Sequence, residues 1–173
     1  QEEYTVSSPN GSLELKISMR DTLSYQIFAD GEALSEISPI AMVVERNGRR
    51  ITLGENPAVE KCSRNSISQK IPMHLGENDQ IDDTYNEIIL DLGSLYSLHC
   101  RAYDEGVAYR IESKINGSIT IRNEIAEFNF KDNPQVWIAY DEDKRTMSQW
   151  ELPYKRELSV KSVKTGDYGI NPC

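Results

Sequence analysis

Met42-Val43-Val44-Glu45-Arg46-Asn47-Gly48-Arg49-Arg50-Ile51-Thr52-Leu53 decides the fold class. A short apolar run leads into Asn-Gly, and a second strand-like run leads out of it. Asn-Gly tolerates the two positive φ angles that a two-residue hairpin turn demands. The stretch therefore predicts a pair of antiparallel strands turning at Asn47-Gly48. The same punctuation recurs at Asn10-Gly11, Asp30-Gly31 and Asn116-Gly117. The last of these is expected to fold Val107 to Lys114 back on Ser118 to Arg122 as another hairpin.

Working outward, period-two alternation dominates the chain. Leu13, Leu15, Ile17 and Met19 alternate with Glu14, Lys16 and Ser18, which places four apolar side chains on one face of a strand. Val107, Tyr109 and Ile111 repeat the pattern, as do Ile119 with Ile121, and Val136, Ile138 and Tyr140. Tyr25 to Phe28 and Ile40 to Val44 add shorter strand-like runs. Short strands joined by tight turns, with no helical period, predict an all-β, antiparallel sandwich. The polar stretch from Asn56 to Asp83 has no sustained period. It is expected to hold two short strands around Ile67 to Ile71, then a long connection through Gly76 to Asp83. A second polar stretch, Asp141 to Ser148, reads as an exposed loop. Neither looks like a boundary, so one domain is expected over residues 1–173.

The bulk chemistry removes several classes of function. The 173 residues carry a formal charge of −9, which would be repelled by duplex nucleic acid and by anionic membrane surfaces. No run approaches the roughly eighteen apolar residues of a membrane span. Cys62, Cys100 and Cys173 form no C-x-x-C pair, so neither a zinc ribbon nor a dithiol redox centre is indicated. Free, mostly buried thiols are expected ahead of a single disulfide. The chain opens on Gln1 without a charged and apolar leader, as it would if a signal peptide had been removed or omitted.

Catalytic motifs are weak. Glycoside hydrolysis usually needs two converging carboxylates, and the local candidates are Asp82-Asp83, Asp104-Glu105 and Asp141-Glu142-Asp143. Neighbours on a strand point to opposite faces, so adjacency is poor evidence for a pair. His74 and His99 lack metal-binding spacing, and no G-x-S-x-G or phosphate loop occurs. No catalytic residue is assigned. Trp150-Glu151-Leu152-Pro153-Tyr154 reads either as an edge strand with core aromatics or as a sugar-contacting element.

Several segments together resemble the N-terminal domain of glycoside hydrolase family 97. They are Ser8-Pro9-Asn10-Gly11 with the strand after it and Leu23-Ser24-Tyr25-Gln26-Ile27, then Arg101-Ala102-Tyr103-Asp104-Glu105-Gly106-Val107-Ala108-Tyr109-Arg110. Asn123-Glu124 with Ala126-Glu127-Phe128-Asn129-Phe130 and the Trp150 to Tyr154 element complete the set. The resemblance implies a galactose mutarotase-like β-super-sandwich belonging to a large bacterial enzyme, periplasmic or secreted. That enzyme would cleave α-glucosidic or α-galactosidic bonds. Its catalytic (β/α)8 barrel, which holds the acid and base or nucleophile carboxylates and most of a calcium site, would follow this domain.

On that resemblance the chain is a non-catalytic accessory domain that packs on the barrel in cis and shapes the rim of the active site. The alternative is a free-standing module binding α-linked glycans through Trp150 and Tyr154, with Trp137 and Tyr140 as further stacking residues. Glu151 matches the glutamate that helps bind calcium in the complete enzymes. One carboxylate cannot satisfy an ion that takes six to eight oxygens, so no calcium is expected on this chain alone. The sandwich is also expected to be incomplete, leaving open sheet edges that invite self-association.

Overall fold

The computed structural model describes residues 2–73, 79–139 and 154–163. These fall into two units, Gln1–Asn129 and Phe130–Cys173, each described by itself.

In the first unit, β1 (Glu2–Ser7) and β2 (Leu13–Met19) form an antiparallel hairpin with Ser7 opposite Glu14. Its loop is wider than a two-residue turn. Pro9 presets the Ser8–Gly11 turn, which closes when the Gly11 N–H donates to Ser8 O at 2.9 Å, and Gly11 follows at φ 77°. β3 (Leu23–Ala29) then turns into β4 (Glu32–Ala33) through Asp30 and Gly31, at φ 49° and 82°. The stretch quoted first folds as expected: β5 (Ser38–Arg46) pairs with β6 (Arg49–Leu53), Arg46 opposite Arg49, with Asn47 and Gly48 at φ 50° and 73°.

The polar stretch departs from expectation. It forms β7 (Lys61–Pro72), twelve residues long, paired along its whole length with β8 (Gln80–Leu92). Alternation reports a strand only when one face is buried, and β7 is a mostly exposed edge strand. Polar pairs across the ladder replace apolar packing, including Ser66 Oγ to Asn86 Oδ1 at 2.7 Å and Lys70 Nζ to Asp82 Oδ1 at 2.7 Å.

A second departure concerns Asn116-Gly117. β9 (Tyr96–Ala102) pairs with both β8 and β10 (Val107–Ser113), whereas β11 (Thr120–Ala126) pairs with β5. The segment around Asn116-Gly117 is therefore an arch between two sheets, not a hairpin. Lys114 donates its N–H to Leu95 O and its ammonium pairs with Asp91, while Ile115 and Ile119 pack against the core. Tertiary packing thus separates two strands that the local turn signal would have joined.

The first sheet has the order β1-β2-β3-β5-β11, with β4 on β3 and β6 on β5. The second has the order β10-β9-β8-β7. β2, β3, β5 and β6 supply Leu15, Ile17, Leu23, Tyr25, Ile40, Val44 and Leu53 to one cluster. β8 and β9 meet it with Ile88, Leu90, Leu98 and Cys100. Each such aliphatic side chain, fully buried, contributes about 1.5–3 kcal/mol. The two sheets are also laced at their margins: Arg64 and Asn86 donate to Thr5 O and Ser7 O, at 2.6 and 2.9 Å. All-β, antiparallel sandwich architecture is what the alternation predicts.

In the second unit, β12 (Gln135–Ala139) pairs antiparallel with β13 (Tyr154–Ser159), and a 3-10 turn covers Val160–Ser162. Val136 and Ile138 thus lie in a strand. Tyr140 and the expected Asp141 to Ser148 loop lie outside the described residues. Among these, no helix is long and apolar enough to cross a membrane.

Candidate functional site on the outer face of the second sheet

β9 alternates across the second sheet. Leu98, Cys100 and Ala102 point into the core, so Ser97, His99 and Arg101 point out. The next residues, Tyr103-Asp104-Glu105-Gly106, form a tight turn in which the Tyr103 N–H donates to Gly106 O at 2.8 Å. β10 returns with Ala108 opposite Arg101 and Arg110 opposite His99. Because Ala108 is short, it leaves a shallow depression of about 170 Å³ lined by His99, Arg101, Tyr103, Ala108 and Arg110.

Arg101 is held on two sides, and the ring beneath it is itself packed. Its Nε donates to Glu87 Oε1 at 3.0 Å, its guanidinium lies 4.2 Å over the Tyr85 ring, and Tyr103 packs 5.0 Å from Tyr85. Glu87, only 7% exposed, also accepts from Asn65 Nδ2 at 3.0 Å. His99 Nε2 stands 3.3 Å from Glu112 Oε2, which Arg110 also engages at 3.0 Å. Burial pulls the Glu87 carboxyl upward, but the Asn65 and Arg101 hydrogen bonds and the nearby positive charge outweigh it. Its pKa therefore lies below the ordinary carboxylate value of 4.5. The hydrogen bond that Arg101 donates to Glu87 correspondingly raises the pKa of Arg101.

A pH test follows. A carboxyl whose folded pKa is depressed adds stability above its unfolded pKa, and that stability is lost as pH falls through the folded value. We predict that Glu87→Gln costs about 1 kcal/mol at pH 7, discounted because Arg101 is partly exposed. The gap to the parent chain should close as pH falls below the ordinary carboxylate range. Urea midpoints between pH 7 and 3 read this directly, and parallel profiles for the two proteins would contradict it.

The segments that carry the family resemblance converge in space. The Asn10 N–H donates to Asp104 Oδ1 at 2.9 Å, tying the Ser-Pro-Asn-Gly loop to the turn after Arg101. Tyr25 stands 5.7 Å from Tyr109 and 6.4 Å, edge-on, from Phe128, and its hydroxyl donates to Glu127 O at 2.9 Å. Three segments far apart in sequence thus meet on one buried tyrosine. Tyr85, Glu87 and this hub are what sequence reasoning missed. The period-two rows Tyr85-x-Glu87 and Arg101-x-Tyr103 were the available signal, but their partners are set by cross-strand register.

Asp82, Asp83 and Asp104 each make a structural contact. Asp82 and Asp83 point to opposite faces, the first to Lys70 and the second to Gln69 Nε2 at 2.7 Å. Asp104 serves Asn10. Among the described residues, no group of three or more His, Cys, Asp or Glu comes together to hold a metal ion. Trp150, Glu151, His74 and the Asp141 to Asp143 cluster lie outside the described residues. Tyr154 opens β13 opposite Ala139, and Trp137 lies within β12. Cys62 and Cys100 are both free, and Cys62 is exposed on β7 rather than buried. Burial, aided by the Glu87 charge, pushes the Cys100 thiol up to about 12. Cys173 lies outside the described residues.

Two packed antiparallel sheets, locked together by these signature segments, define a β-sandwich domain. The family model described as Glycosyl-hydrolase 97 N-terminal matches residues 6–171. The chain belongs to that family. It is 27% identical over 168 residues to a retaining alpha-galactosidase of Bacteroides thetaiotaomicron, covering 97% of this chain and 22% of the relative. Its fold matches a glycoside hydrolase family 97 enzyme from Pseudoalteromonas sp. strain K8, an arginine-to-lysine variant, with TM-score 0.72 and 24% identity. That match covers 88% of this chain and 24% of the other. A beta-arabinopyranosidase structure matches with TM-score 0.71 and 21% identity, over 88% of this chain and 26% of that one. The chain thus spans about a quarter or less of the length of these relatives.

Proposed function

We propose that this chain is the non-catalytic N-terminal part of a bacterial α-glycosidase, one that packs on the catalytic part and shapes the rim of its active site. The observation that carries the reading is one of proportion. The family match fills the chain from 6 to 171, yet the same residues make up only 22% of the α-galactosidase they resemble. The described carboxylates Glu87, Asp83 and Asp104 are occupied in holding the sandwich together. A sequence relative and a fold neighbour are named for different sugars, a retaining alpha-galactosidase and a beta-arabinopyranosidase. A shared domain in enzymes of different sugar preference fits a supporting role, with sugar choice made elsewhere in the enzyme.

Glu151 is the residue proposed to reach the calcium of the complete enzyme, contributing one oxygen ligand of the six to eight that such an ion needs. The test is Glu151→Gln in the complete enzyme. We predict weaker calcium binding by calorimetry and a proportionate loss of α-glycosidase activity that added calcium restores. Unchanged calcium affinity and activity would overturn the assignment. The proposed setting is the bacterial periplasm or exterior, where α-linked glycans are the substrate of the whole enzyme.

A further inference from the structure

β8 pairs with β9 only from Asn86 to Leu92, whereas its pairing with β7 continues to Gln80. Six residues of β8, 80–85, therefore have β7 residues 67–72 as their only strand neighbour among the described residues. At about 3.4 Å per residue this arm extends roughly 20 Å past the end of β9.

The arm has two unlike faces. Ser68 pairs with Thr84 and Lys70 with Asp82 on one, which is polar as far as Pro72, opposite Gln80. The other carries Ile67 opposite Tyr85 and Ile71 opposite Ile81. Between those pairs, Gln69 bonds Asp83, which pins the register so that the two tip isoleucines face each other. The ladder continues to the Met73 N–H, which donates to Asp79 O at 2.9 Å and brings Met73 onto the same side as Ile71. At the tip Ile71, Met73 and Ile81 remain 37%, 41% and 43% exposed.

A two-stranded ribbon is marginal in water unless something packs on its apolar face. A second copy of the chain is a poor occupant. Three aliphatic side chains, each already more than half covered, fall well short of the roughly 800 Å² per partner that a stable association needs. A small patch suffices when the partner is tethered in the same polypeptide, because the effective concentration is then of millimolar order. The relatives carry more than three-quarters of the α-galactosidase, and about three-quarters of the solved chains, beyond the region this chain matches.

We propose that the β7–β8 arm is the element with which this domain grips the catalytic part of its own enzyme, Ile71, Met73 and Ile81 seating on that part in cis. This rests on the accessory reading above and names the surface through which it acts.

Hydrogen exchange tests it on two proteins, the 173-residue chain and the complete enzyme. Amides in 67–73 and 79–85 should exchange at least tenfold more slowly in the complete enzyme. Ile71→Ser with Ile81→Ser should abolish that difference, and the milder Ile71→Thr should reduce it. Ser68→Ala with Thr84→Ala, on the polar face, should leave it intact. The 173-residue chain carrying the two serines should keep the parent exchange pattern in β2, β5 and β9, showing that it folds. Equal exchange of the arm in both proteins would overturn the proposal, as would a dimer of the chain that the serine pair dissociates. If the enzyme's parts stay together while the arm exchanges freely, only the arm assignment falls. If the parts separate under mild proteolysis with activity intact, the accessory reading falls with it.

Discussion

Gly54→Ala is expected to destabilise the chain by on the order of 3 kcal/mol, although it adds one methyl group. Gly54 follows β6 at φ +109°, a conformation that L side chains rarely adopt. A Cβ there would stand 2.7 Å from Ile40 O and 3.2 Å from Ala41 Cα. Both are backbone atoms of β5, so no side chain can rotate aside to relieve the clash. Gly54 O also accepts from the Leu23 N–H at 2.7 Å, next to the isolated bridge between Thr22 and Glu55. Displacing it would loosen the start of β3 together with the end of β6. Gly48→Ala is the control: its φ is also positive, but nothing lies within 4 Å, so only the conformational cost of about 1 kcal/mol applies. Urea unfolding of both variants gives the comparison, and equal midpoints would refute the close approach.

The second large effect belongs to Tyr25. Truncation to alanine should cost about 4 kcal/mol, the usual range for deleting a buried aromatic ring. Here the ring is 4% exposed and touches both Tyr109 of β10 and Phe128 beyond β11. Tyr25→Phe keeps that packing and loses only the hydrogen bond to Glu127 O, so about 1 kcal/mol is expected. The split between the two variants separates ring packing from the hydroxyl. A phenylalanine variant as unstable as the alanine one would show that the hydroxyl, not the ring, joins the segments.

These two positions show which parts of the fold were legible beforehand. Alternation identified β2 and β10 because each turns one apolar face to the core, and Asn47-Gly48 turned where its backbone freedom allows. β7 was invisible as a twelve-residue strand because its stability comes from backbone pairing and from pairs such as Lys70–Asp82 rather than from a buried face. Asn116-Gly117 misled because a dipeptide reports local backbone freedom, whereas Ile115 and Ile119 decide that the chain crosses between sheets. The Glu87–Arg101 pair depends on Asn86 standing opposite Ala102, a register that no local signal encodes. The Trp150 to Tyr154 element remains a matter of motif, since Glu151 and Trp150 lie outside the described residues.

Family resemblance and fold meet at the same residues. Asn10 reaches Asp104, and Tyr25 gathers Tyr109 and Phe128, so the segments that mark the family are largely those that clamp the two sheets. Signature residues spent on architecture are consistent with the accessory role proposed above.

The most direct measurement is hydrolysis of 4-nitrophenyl α-galactoside and α-glucoside by the purified 173-residue chain, with calcium supplied. We predict no release of nitrophenol above the buffer rate at any chain concentration, as the proposed accessory role requires. Turnover that rises in proportion to the chain, and persists through repeated purification, would contradict it.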